Sequence, residues 1–409
     1  MVQNRKDSHG HALRTGECQR KNGRYSFSYT DRDHNRHAVY AGDLISLRKK
    51  EQQIRRDIED GLDPRRAERI TVNQVYDAYM QQKFNLKDTT RASYLYMYDQ
   101  FVRETFGRRK LVEVRFTDVK KFYYSLITEK GFRPATVDNV HTLLHPAFQL
   151  AVREGIISTN PTEGMLAEVK RSHLWVVEKR RALTVEEQKA FMNYLFENHC
   201  YQGWKTVLTV LIGTGMRIGE CLGLRWSDID FKERTIDINH NLVHRRVSKE
   251  GDTLHINTPK TKAGERIIPM IQQVYDAFLE EYELQQVTGF CKQEIEGYKD
   301  FVFCTSNGTV TLPGEVNRAI HSIVAAYNDE ETAKAKKEER EPLLLPHFSA
   351  HHLRHTFCTR FCENETNLKV IQSVMGHKDV QTTLDIYADC TDDKKKEVIQ
   401  KIEGKIFIM

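Results

Sequence analysis

An arginine near the middle of the chain lies in surroundings suited to binding a phosphate group. Arg217 falls within the segment Gly213–Asp230, three residues before Glu220. Thr214 is placed to cap a helix that carries Arg217 in its first turn, where Glu220 would support the guanidinium. A guanidinium held near a helix N-terminus can bind two phosphate oxygens at once. The segment therefore suits a phosphate-binding arginine, although on this motif alone an ordinary surface arginine would be favoured.

A second arginine is predicted near the start of another helix. With Ser349 as the N-cap, His351 and Arg354 lie three residues apart on one helical face. Leu353 and Phe357, four residues apart, would form the buried stripe of the same helix. This helix would therefore present a histidine and an arginine together.

Two further segments contain residues that could transfer a proton or attack phosphorus. Thr258–Pro269 has the pattern of a β-hairpin with Lys260 and Lys262 at its tip, on one face of the hairpin. His377 follows a Met-Gly pair, and Tyr387 comes ten residues after that histidine. Taken singly, residues of these types are more often structural or solvated than catalytic.

Taken together, two arginines on helices, a hairpin lysine, two histidines and a late tyrosine match the needs of phosphodiester exchange. In such a reaction a tyrosine hydroxyl attacks phosphorus in line, a base takes its proton, and an acid protonates the departing sugar oxygen. The two arginines would neutralise the non-bridging oxygens of the transition state. This chemistry uses no cofactor and no metal ion.

The composition argues against a secreted or membrane protein. The chain has 409 residues and a mean hydropathy of −0.60, and its longest strongly apolar stretch, Val207–Ile212, is far shorter than the ~20 residues that cross a bilayer. The first residues lack the apolar run of a signal peptide. Eight scattered cysteines without CxxC spacing indicate reduced thiols. We therefore expect a cytoplasmic protein.

Most of the net positive charge lies at the N-terminus. The first 50 residues contain 11 Lys and Arg against 5 Asp and Glu, a net charge of +6, whereas the whole chain has +5. Strand patterns at Arg24–Thr30 and His37–Ala41, followed by a helical pattern at Leu44–Glu59, predict a small sheet with one helix. Such a module could lay its sheet in a DNA groove, although a solvated basic tail is the alternative. The candidate DNA contacts are Arg24, Tyr25, Phe27, Tyr29 and Arg36.

The histidines and the cysteine of this basic region lack zinc-finger spacing, so no metal site is predicted there.

Breaks in the pattern divide the chain into three domains. Capping boxes at Thr71–Gln74 and Thr184–Glu187 each open a run of helical patterns. The second run continues into a strand-rich stretch, Thr235–Pro269. We therefore expect a mainly α protein with small β-sheets, an α+β fold. The predicted boundaries are an arm domain at 1–65, a helical core-binding (clamp) domain at 70–166, a linker at 167–182 and a catalytic domain at 183–409.

The four chemically active segments, in this order, resemble the tyrosine recombinase (phage integrase) family. The motifs that carry the resemblance are Thr-Gly-x-Arg-x-Gly-Glu, His-x-Leu-Arg-His-Thr-Phe, Gly-His and the tyrosine ten residues later, over about residues 70–400. The basic arm looks like the arm-binding domain of bipartite integrases. Overall, the chain looks most like the integrases of conjugative transposons.

The resemblance implies a role for each matched residue. These roles are nucleophile for Tyr387, phosphate clamp for Arg217 and Arg354, general acid for Lys260, base or proton shuttle for His351, and a further catalytic position for His377. The tyrosine would form a 3′-phosphotyrosyl link and free a 5′-hydroxyl, and a second 5′-hydroxyl would reseal the strand without ATP or metal. The implied activity is site-specific recombination that excises and integrates a mobile element in a bacterial nucleoid.

The sequence departs modestly from the family pattern. Met375 stands where leucine is usual before Gly-His, and Ser349-Ala350 stands for the common Thr-Pro. Lys262 competes with Lys260 as the general acid, and Lys260 is preferred because it directly precedes the threonine of the family pattern. In that case Lys262 could contact DNA. As the base or proton shuttle, His352 and His355 are less favoured than His351.

The implied partners are double-stranded DNA, at core and arm sites, and further copies of the chain. Asp392–Gly404 predicts a short amphipathic helix, and Ile406–Met409 is apolar. In the family such tails join protomers in a synaptic tetramer, whereas packing onto its own domain is the alternative. An arm-bearing integrase also implies an excisionase or a DNA-bending protein. No membrane partner is expected.

Two other functional classes fit part of the pattern. A type IB topoisomerase-like enzyme would use the same chemistry on a single duplex, but the N-terminal arm and the Gly-His motif argue against it. A non-catalytic DNA-binding protein on a recombinase scaffold is disfavoured because all six catalytic positions are filled.

Overall fold

The computed structural model describes residues 5–30, 34–59, 69–86, 88–176, 181–247, 251–259, 264–365, 367–376, 379–381 and 383–384. The chain divides into two compact units, Met1–Glu178 and Lys179–Met409. The division falls inside the connector that the sequence predicts at 167–182. Within these described ranges, no helix is both long enough and apolar enough to cross a membrane.

The N-terminal part of the first unit is a three-stranded antiparallel sheet covered by one helix. Its elements are β1 (Glu17–Gln19), β2 (Tyr25–Thr30), β3 (Arg36–Ala41) and α1 (Leu44–Glu59). Strand β2 lies between the other two. Because side chains alternate along a strand, Tyr25 and Phe27 face α1 and form a small core with Leu47 and Ile54. The predicted strands and helix are therefore present.

The rest of the first unit is helical, with its own apolar core. Its helices are α2 (Val72–Gln81), α3 (Asp88–Tyr98), α4 (Phe116–Thr128), α5 (Pro134–Arg153) and α6 (Met165–Lys170). The predicted capping box is formed: the Gln74 amide donates to Thr71 Oγ1 at 3.3 Å, and the Thr71 amide donates to Gln74 Oε1 at 2.8 Å. The rings of Tyr76 and Tyr98 stack in the core. Most aromatic residues here are structural.

The second unit packs helices around two small sheets. Its helices are α7 (Val185–Glu197), α8 (Lys205–Thr214), α9 (Ile218–Gly223), α10 (Gln272–Thr288), α11 (Pro313–Lys337), α12 (Ala350–Asn364) and α13 (Leu368–Met375). Its strands are β4 (Ile229–Asp230), β5 (Thr235–Ile238), β6 (Asn241–Val247), β7 (Gly251–Asn257) and β8 (Arg266–Pro269). The sheets are β4-β5-β8 and β6-β7, all antiparallel. The helical content with small antiparallel sheets confirms the predicted α+β class.

The predicted hairpin over Thr258–Pro269 is wrong. Strand β7 pairs with β6, with Leu242 opposite Ile256, whereas β8 pairs with β5, with Ile236 opposite Ile268. The strands on either side of Lys260 therefore belong to different sheets. The argument that Lys260 and Lys262 share one face of a hairpin no longer applies.

Candidate active site

Arg217 lies between two helices rather than inside the first turn of one. Helix α8 ends at Thr214, whose hydroxyl donates to the Val210 carbonyl at 2.6 Å, so Thr214 is not the predicted N-cap. The chain then turns through Gly215, and Arg217 itself is the N-cap of α9. The predicted neighbourhood of Arg217 is correct, but the residue that begins the helix is different.

The turn before Arg217 requires glycine. Gly215 has φ of 63°, in the left-handed region that L-residues other than glycine adopt at a cost. A Cβ atom at this position would lie 2.3 Å from Cδ1 of Phe357. The close approach brings the Gly215 carbonyl to α12, where Arg354 Nη1 donates to it at 2.8 Å. Gly215 therefore allows the Thr-Gly-x-Arg motif to contact the His-x-Leu-Arg motif on α12.

Glu220 lies buried between two arginines. Its Oε2 accepts from the Arg217 amide at 2.8 Å and its Oε1 from Arg217 Nη1 at 2.7 Å. Arg266 Nη2 donates to Oε2 from the other side at 2.9 Å. Burial would raise the pKa of the Glu220 carboxyl, but the hydrogen bond from Arg266 and the charges of both arginines outweigh it and hold that pKa below its usual value. Glu220 is therefore a carboxylate that hydrogen-bonds both Arg217 and Arg266.

Arg354 is buried on the inner face of α12. Only 5% of Arg354 is exposed to solvent. Its Nη1 donates to the Gly215 carbonyl at 2.8 Å, and its Nη2 donates to the Met375 carbonyl at 2.7 Å. Burial, and next the like charge of Arg217, lowers the pKa of Arg354 to about 10, so it remains a cation at neutral pH. The two clamp arginines that the sequence predicts are therefore brought together.

Arg266 is a third arginine at this site, and the sequence reasoning missed it. It begins β8, and its Nε donates to the Val374 carbonyl at 2.8 Å in addition to its bonds with Glu220. The sequence offered no signal for it, because the two isoleucines that follow leave the inward face of the strand undecided. In the structure Ile268 is buried and Ile267 is exposed, which places Arg266 on the inward face, where a buried arginine requires partners.

The three histidines of α12 have different surroundings. His352 Nδ1 lies 3.1 Å from Ser349 Oγ, and His355 Nδ1 lies 3.2 Å from Thr359 Oγ1. Both rings are thus engaged with their own helix. His351 lies in the first turn with an exposed side chain, one turn before Arg354. Of the three histidines, His351 has the placement that suits proton transfer to an outside group.

Four of the predicted site residues lie outside the described residues. They are Lys260, Lys262, His377 and Tyr387, and the predicted tail from Asp392 to Met409 also lies outside them. Their roles stay predictions.

The predicted DNA contacts of the arm fall on two faces of its sheet. Tyr25 and Phe27 are only 6% and 3% exposed, because their rings pack against α1. Tyr29 lies on the same face and is half-buried. Arg24 and Arg36 are exposed. The aromatic residues predicted as DNA contacts therefore lie on the hydrophobic side of the sheet, which argues against direct contacts by Tyr25 and Phe27.

Two residues that the sequence reasoning missed lie on the outer face of this sheet. Tyr40 pairs with Ser26 across β2 and β3, so it lies opposite the face that packs on α1. The guanidinium of Arg20 lies 5.5 Å from the centre of the Tyr40 ring. An arginine beside an exposed aromatic ring is a common arrangement on nucleic-acid-binding surfaces.

The charge of the site in the second unit favours an anion. Three guanidiniums, those of Arg217, Arg266 and Arg354, surround the single carboxylate of Glu220 among the described residues. The described ranges contain no group of three His, Cys, Asp or Glu side chains that could hold a metal ion. An excess of guanidinium over carboxylate, partly open to solvent at Arg217, is suited to binding a phosphate diester.

Comparisons with known proteins agree with this chemistry. Residues 181–394 match the phage integrase family, and residues 1–58 match the DNA-binding domain of the Tn916 integrase. The transposase from transposon Tn916 of Enterococcus faecalis is 30% identical over 98% of this chain and 97% of its own length. The ICEBs1 integrase of Bacillus subtilis is 25% identical over 75% of this chain and 76% of its own.

A solved structure shares the architecture. The Tn1549 transposon integrase, in complex with a circular intermediate DNA, matches 81% of this chain and 99% of its own chain, with 28% identity and a TM-score of 0.69.

The helical fold and the arginine-rich site, with these matches, define a DNA strand-exchange enzyme of the tyrosine recombinase class. The chain belongs to the phage integrase family, in the group of the conjugative transposon integrases. The recombinase activity and the resemblance on which it was predicted are thereby confirmed. A match to recombinases along nearly the whole chain also disfavours the topoisomerase-like and non-catalytic alternatives.

Proposed function

We propose that this chain excises and integrates a conjugative transposon, using Tyr387 to cut DNA and Arg217 with Arg354 to bind the phosphate that is attacked. The observation that carries this assignment is the convergence of both arginines on the same end of α13, where they donate to the carbonyls of Gly376 and Met375. A site in which two cations lie side by side without a carboxylate for each is suited to an anionic ligand.

In the first step the Tyr387 oxygen attacks the phosphorus of the scissile diester in line with the departing 5′-oxygen. His351, at the exposed start of α12, takes the phenolic proton or passes it to solvent. The bond from phosphorus to the 5′-oxygen breaks, and the oxygen leaves with a proton from Lys260. The guanidiniums of Arg217 and Arg354 balance the charge on the non-bridging oxygens throughout.

The second step is the reverse of the first with a different strand. The 5′-hydroxyl of the partner duplex attacks the 3′-phosphotyrosyl link, its proton returns to Lys260, and the tyrosine oxygen regains a proton. One phosphodiester bond is replaced by one phosphotyrosyl bond and then by another phosphodiester bond. The exchange therefore needs neither ATP nor a metal ion. His377 would add a further hydrogen bond to the phosphate.

The remaining parts of the chain would bring distant DNA sites together. The basic arm would bind arm sites through the outer face of its sheet, while the helical domain and the catalytic unit bind the core site. Four copies, joined through the C-terminal tails, would hold two duplexes, and an excisionase or a DNA-bending protein would set the direction. These reactions would take place on DNA in the bacterial cytoplasm.

A nicked duplex that loses its short fragment after cleavage tests the nucleophile, because the covalent adduct then accumulates. We expect wild-type protein to become linked to the 3′ end, and Tyr387→Phe to bind the duplex without forming the adduct. An adduct with Tyr387→Phe would refute the assignment. Relaxation of supercoils without joining of two duplexes by the wild-type chain would favour a topoisomerase-like enzyme instead.

A further inference from the structure

Three arginines each hold a different carbonyl group at the end of one short helix. Arg266 Nε donates to the Val374 oxygen at 2.8 Å and Arg354 Nη2 to the Met375 oxygen at 2.7 Å. Arg217 Nη2 donates to the Gly376 oxygen at 3.2 Å. The donors come from β8, from α12 and from the N-cap of α9, so three separate elements meet at the end of α13.

The end of a helix needs such donors. The last carbonyl groups of an α-helix have no partner within the helix, and they form the negative end of its dipole. Helix α13 has only eight residues and ends at Met375, and the glycine that caps it, Gly376, has φ of 62° in the left-handed region. With the three arginine bonds, this helix end is tied to the rest of the unit. His377 is the next residue in the sequence.

Arg266 differs from the other two arginines in having its donors directed into the protein. Its side chain is 4% exposed, whereas that of Arg217 is 43% exposed. Its Nη1 and Nη2 donate to the two oxygens of Glu220 at 3.3 and 2.9 Å, and Nη1 also donates to the Gly264 carbonyl at 3.1 Å. Four of its five N–H donors are thus engaged inside the protein, and its side chain is buried, so Arg266 is not placed to clamp a phosphate as Arg217 is.

We propose that Arg266 is a positioning residue for strand cleavage. It fixes Glu220 on one side and the Val374 carbonyl on the other, so that Arg217 and the end of α13 have one relative geometry before DNA binds. This inference rests on the proposed function of the same site.

The cost of losing Arg266 follows from its neighbours. Without it, the buried Glu220 carboxylate keeps only Arg217 as a direct partner among the described residues, and the Val374 carbonyl loses this donor. Both changes let the phosphate-binding side chain and the end of α13 move relative to each other. A misplacement of about 1 Å in an active site can slow a reaction by roughly 100-fold.

The test measures cleavage of the nicked duplex in a single turnover at saturating DNA. We expect Arg266→Lys and Arg266→Gln to slow adduct formation by between about 10-fold and 100-fold. The dissociation constant for DNA should change by less than about three-fold, because Arg266 is buried and makes no phosphate contact. Cleavage at the wild-type rate by both variants would overturn the proposal, and so would a loss explained by weaker DNA binding.

Arg225 offers a matched control in the same unit. It donates to the buried carboxylate of Asp228 through Nε at 3.2 Å and Nη2 at 2.9 Å, an ion pair of the same kind that does not reach α13. We expect Arg225→Lys and Arg225→Gln to lower the melting temperature without slowing cleavage. If the Arg225 variants slow cleavage as much as the Arg266 variants do, the effect is one of stability and the proposal fails.

The pH dependence of the cleavage rate is a second measurement, which a general loss of stability would not change. The groups that face Glu220 are Arg217, Arg266, Arg354 and the neighbouring thiol of Cys221. Without Arg266, burial dominates and raises the pKa of Glu220, so the decline of the cleavage rate on the acid side should move to higher pH in Arg266→Gln. Arg266→Lys keeps the positive charge and should shift the decline less. An unshifted profile in Arg266→Gln would contradict the coupling to Glu220.

These outcomes separate the inference from the proposed function. An adduct formed by Tyr387→Phe refutes the nucleophile whatever Arg266 does. Normal cleavage by the Arg266 variants, together with no adduct from Tyr387→Phe, refutes only the positioning role.

Discussion

Arg354 Nη2 donates a hydrogen bond of 2.7 Å to the carbonyl oxygen of Met375, so an arginine proposed to bind the phosphate also holds the end of the next helix. Its Nη1 reaches the Gly215 carbonyl at the same time. One side chain thus joins three segments that each contain a motif residue. Only the forked, planar guanidinium can make both bonds and still present further donors to a phosphate.

Replacing this guanidinium by an ammonium should separate charge from geometry. Arg354→Lys keeps the positive charge but cannot reach both carbonyl groups and a phosphate oxygen, so we expect cleavage to fall by about 100-fold or more. Single-turnover adduct formation measures the change. Arg360→Lys is the control on the same helix, since Arg360 bonds the Leu183 carbonyl and Glu363 and should leave cleavage within about two-fold. Equal losses from both variants would contradict this reading.

The turn at Gly215 should tolerate no side chain. Gly215→Ala adds a Cβ 2.3 Å from a Phe357 ring atom and keeps φ of 63°, so we expect a loss of about 1–3 kcal/mol in the stability of the catalytic unit. Thermal unfolding measures the loss. Gly203→Ala is the control, because a Cβ there meets no atom within 4 Å. If the two variants unfold at the same temperature, the turn is less constrained than its geometry indicates.

A half-buried histidine should make the helical domain sensitive to acid. Burial, and next the charge of His145, lowers the pKa of His141 to about 4 from an ordinary value of 6.5. The unfolded chain therefore binds a proton more readily between these pH values, and the stability provided by neutral His141 falls as pH decreases from 6.5 to 4. Tyr123 OH lies 3.1 Å from His141 Nδ1, and Asp138, Lys170 and Glu163 are the other charged groups that act on its pKa.

Hydrogen exchange of the α5 amides in the full chain measures this dependence. Their protection should be lower at pH 5 than at pH 7 after correction for intrinsic exchange, and His141→Gln should remove most of the difference. His173→Gln, at an exposed position, should leave it intact. A pH dependence that survives in His141→Gln would show that another group is responsible.

The arm should bind DNA through the outer face of its sheet. We expect Arg20→Ala to weaken arm-site binding and to reduce the slope of log affinity against log salt by about 1, with a further loss in Arg20→Ala/Tyr40→Ala. Binding titrations at several salt concentrations measure both values. The matched change Phe27→Leu, on the side that packs on α1, should leave the slope unchanged. The opposite pattern would place the DNA on the other face.

Deletion of residues 1–65 should leave cleavage of core sites intact while impairing the joining of distant sites. Footprints of the full chain and of the deletion on the flanks of its own element measure the difference. Unchanged recombination after the deletion would refute the two-site arrangement.

A substrate with sulfur at the bridging 5′ position should identify the general acid. A thiol has a pKa of about 8.5 and leaves without protonation, so such a strand no longer needs the acid. We expect Lys260→Ala to cleave the ordinary strand slowly and the sulfur strand at nearly the wild-type rate. Lys262→Ala should cleave both strands normally. If the sulfur strand restored cleavage by Lys262→Ala instead, Lys262 would be the general acid and Lys260 would not.

The sequence pattern correctly predicted the elements that are stabilised by contacts between residues close together in the chain. The helix at Leu44–Glu59 has the predicted bounds, because its apolar residues recur at helical spacing and face one small core. The capping boxes at Thr71 and Thr184 also form as predicted, since their hydrogen bonds join residues only three apart.

The wrong predictions concern contacts between residues that lie far apart in the sequence. Strand β8 pairs with β5 rather than with the strand just before it, and nothing near Lys260 indicates this choice. The aromatic residues of β2 were predicted as DNA contacts because their alternation does not reveal which face packs on α1. Arg217 and Arg354 could be found because they stand in motifs, whereas Arg266 is recognised only through Glu220 and the end of α13, 46 and 108 residues away.

The carbonyl bonds at the end of α13 have a consequence for the order of folding. They join residues 159 and 108 residues apart in the chain, so they form only after most of the second unit has folded. The sheet and helix of the arm lie within the first 59 residues and can fold as soon as these are synthesised. If the arm binds DNA as proposed, a newly made molecule can reach the chromosome before its cutting site exists, and incomplete chains cannot nick it.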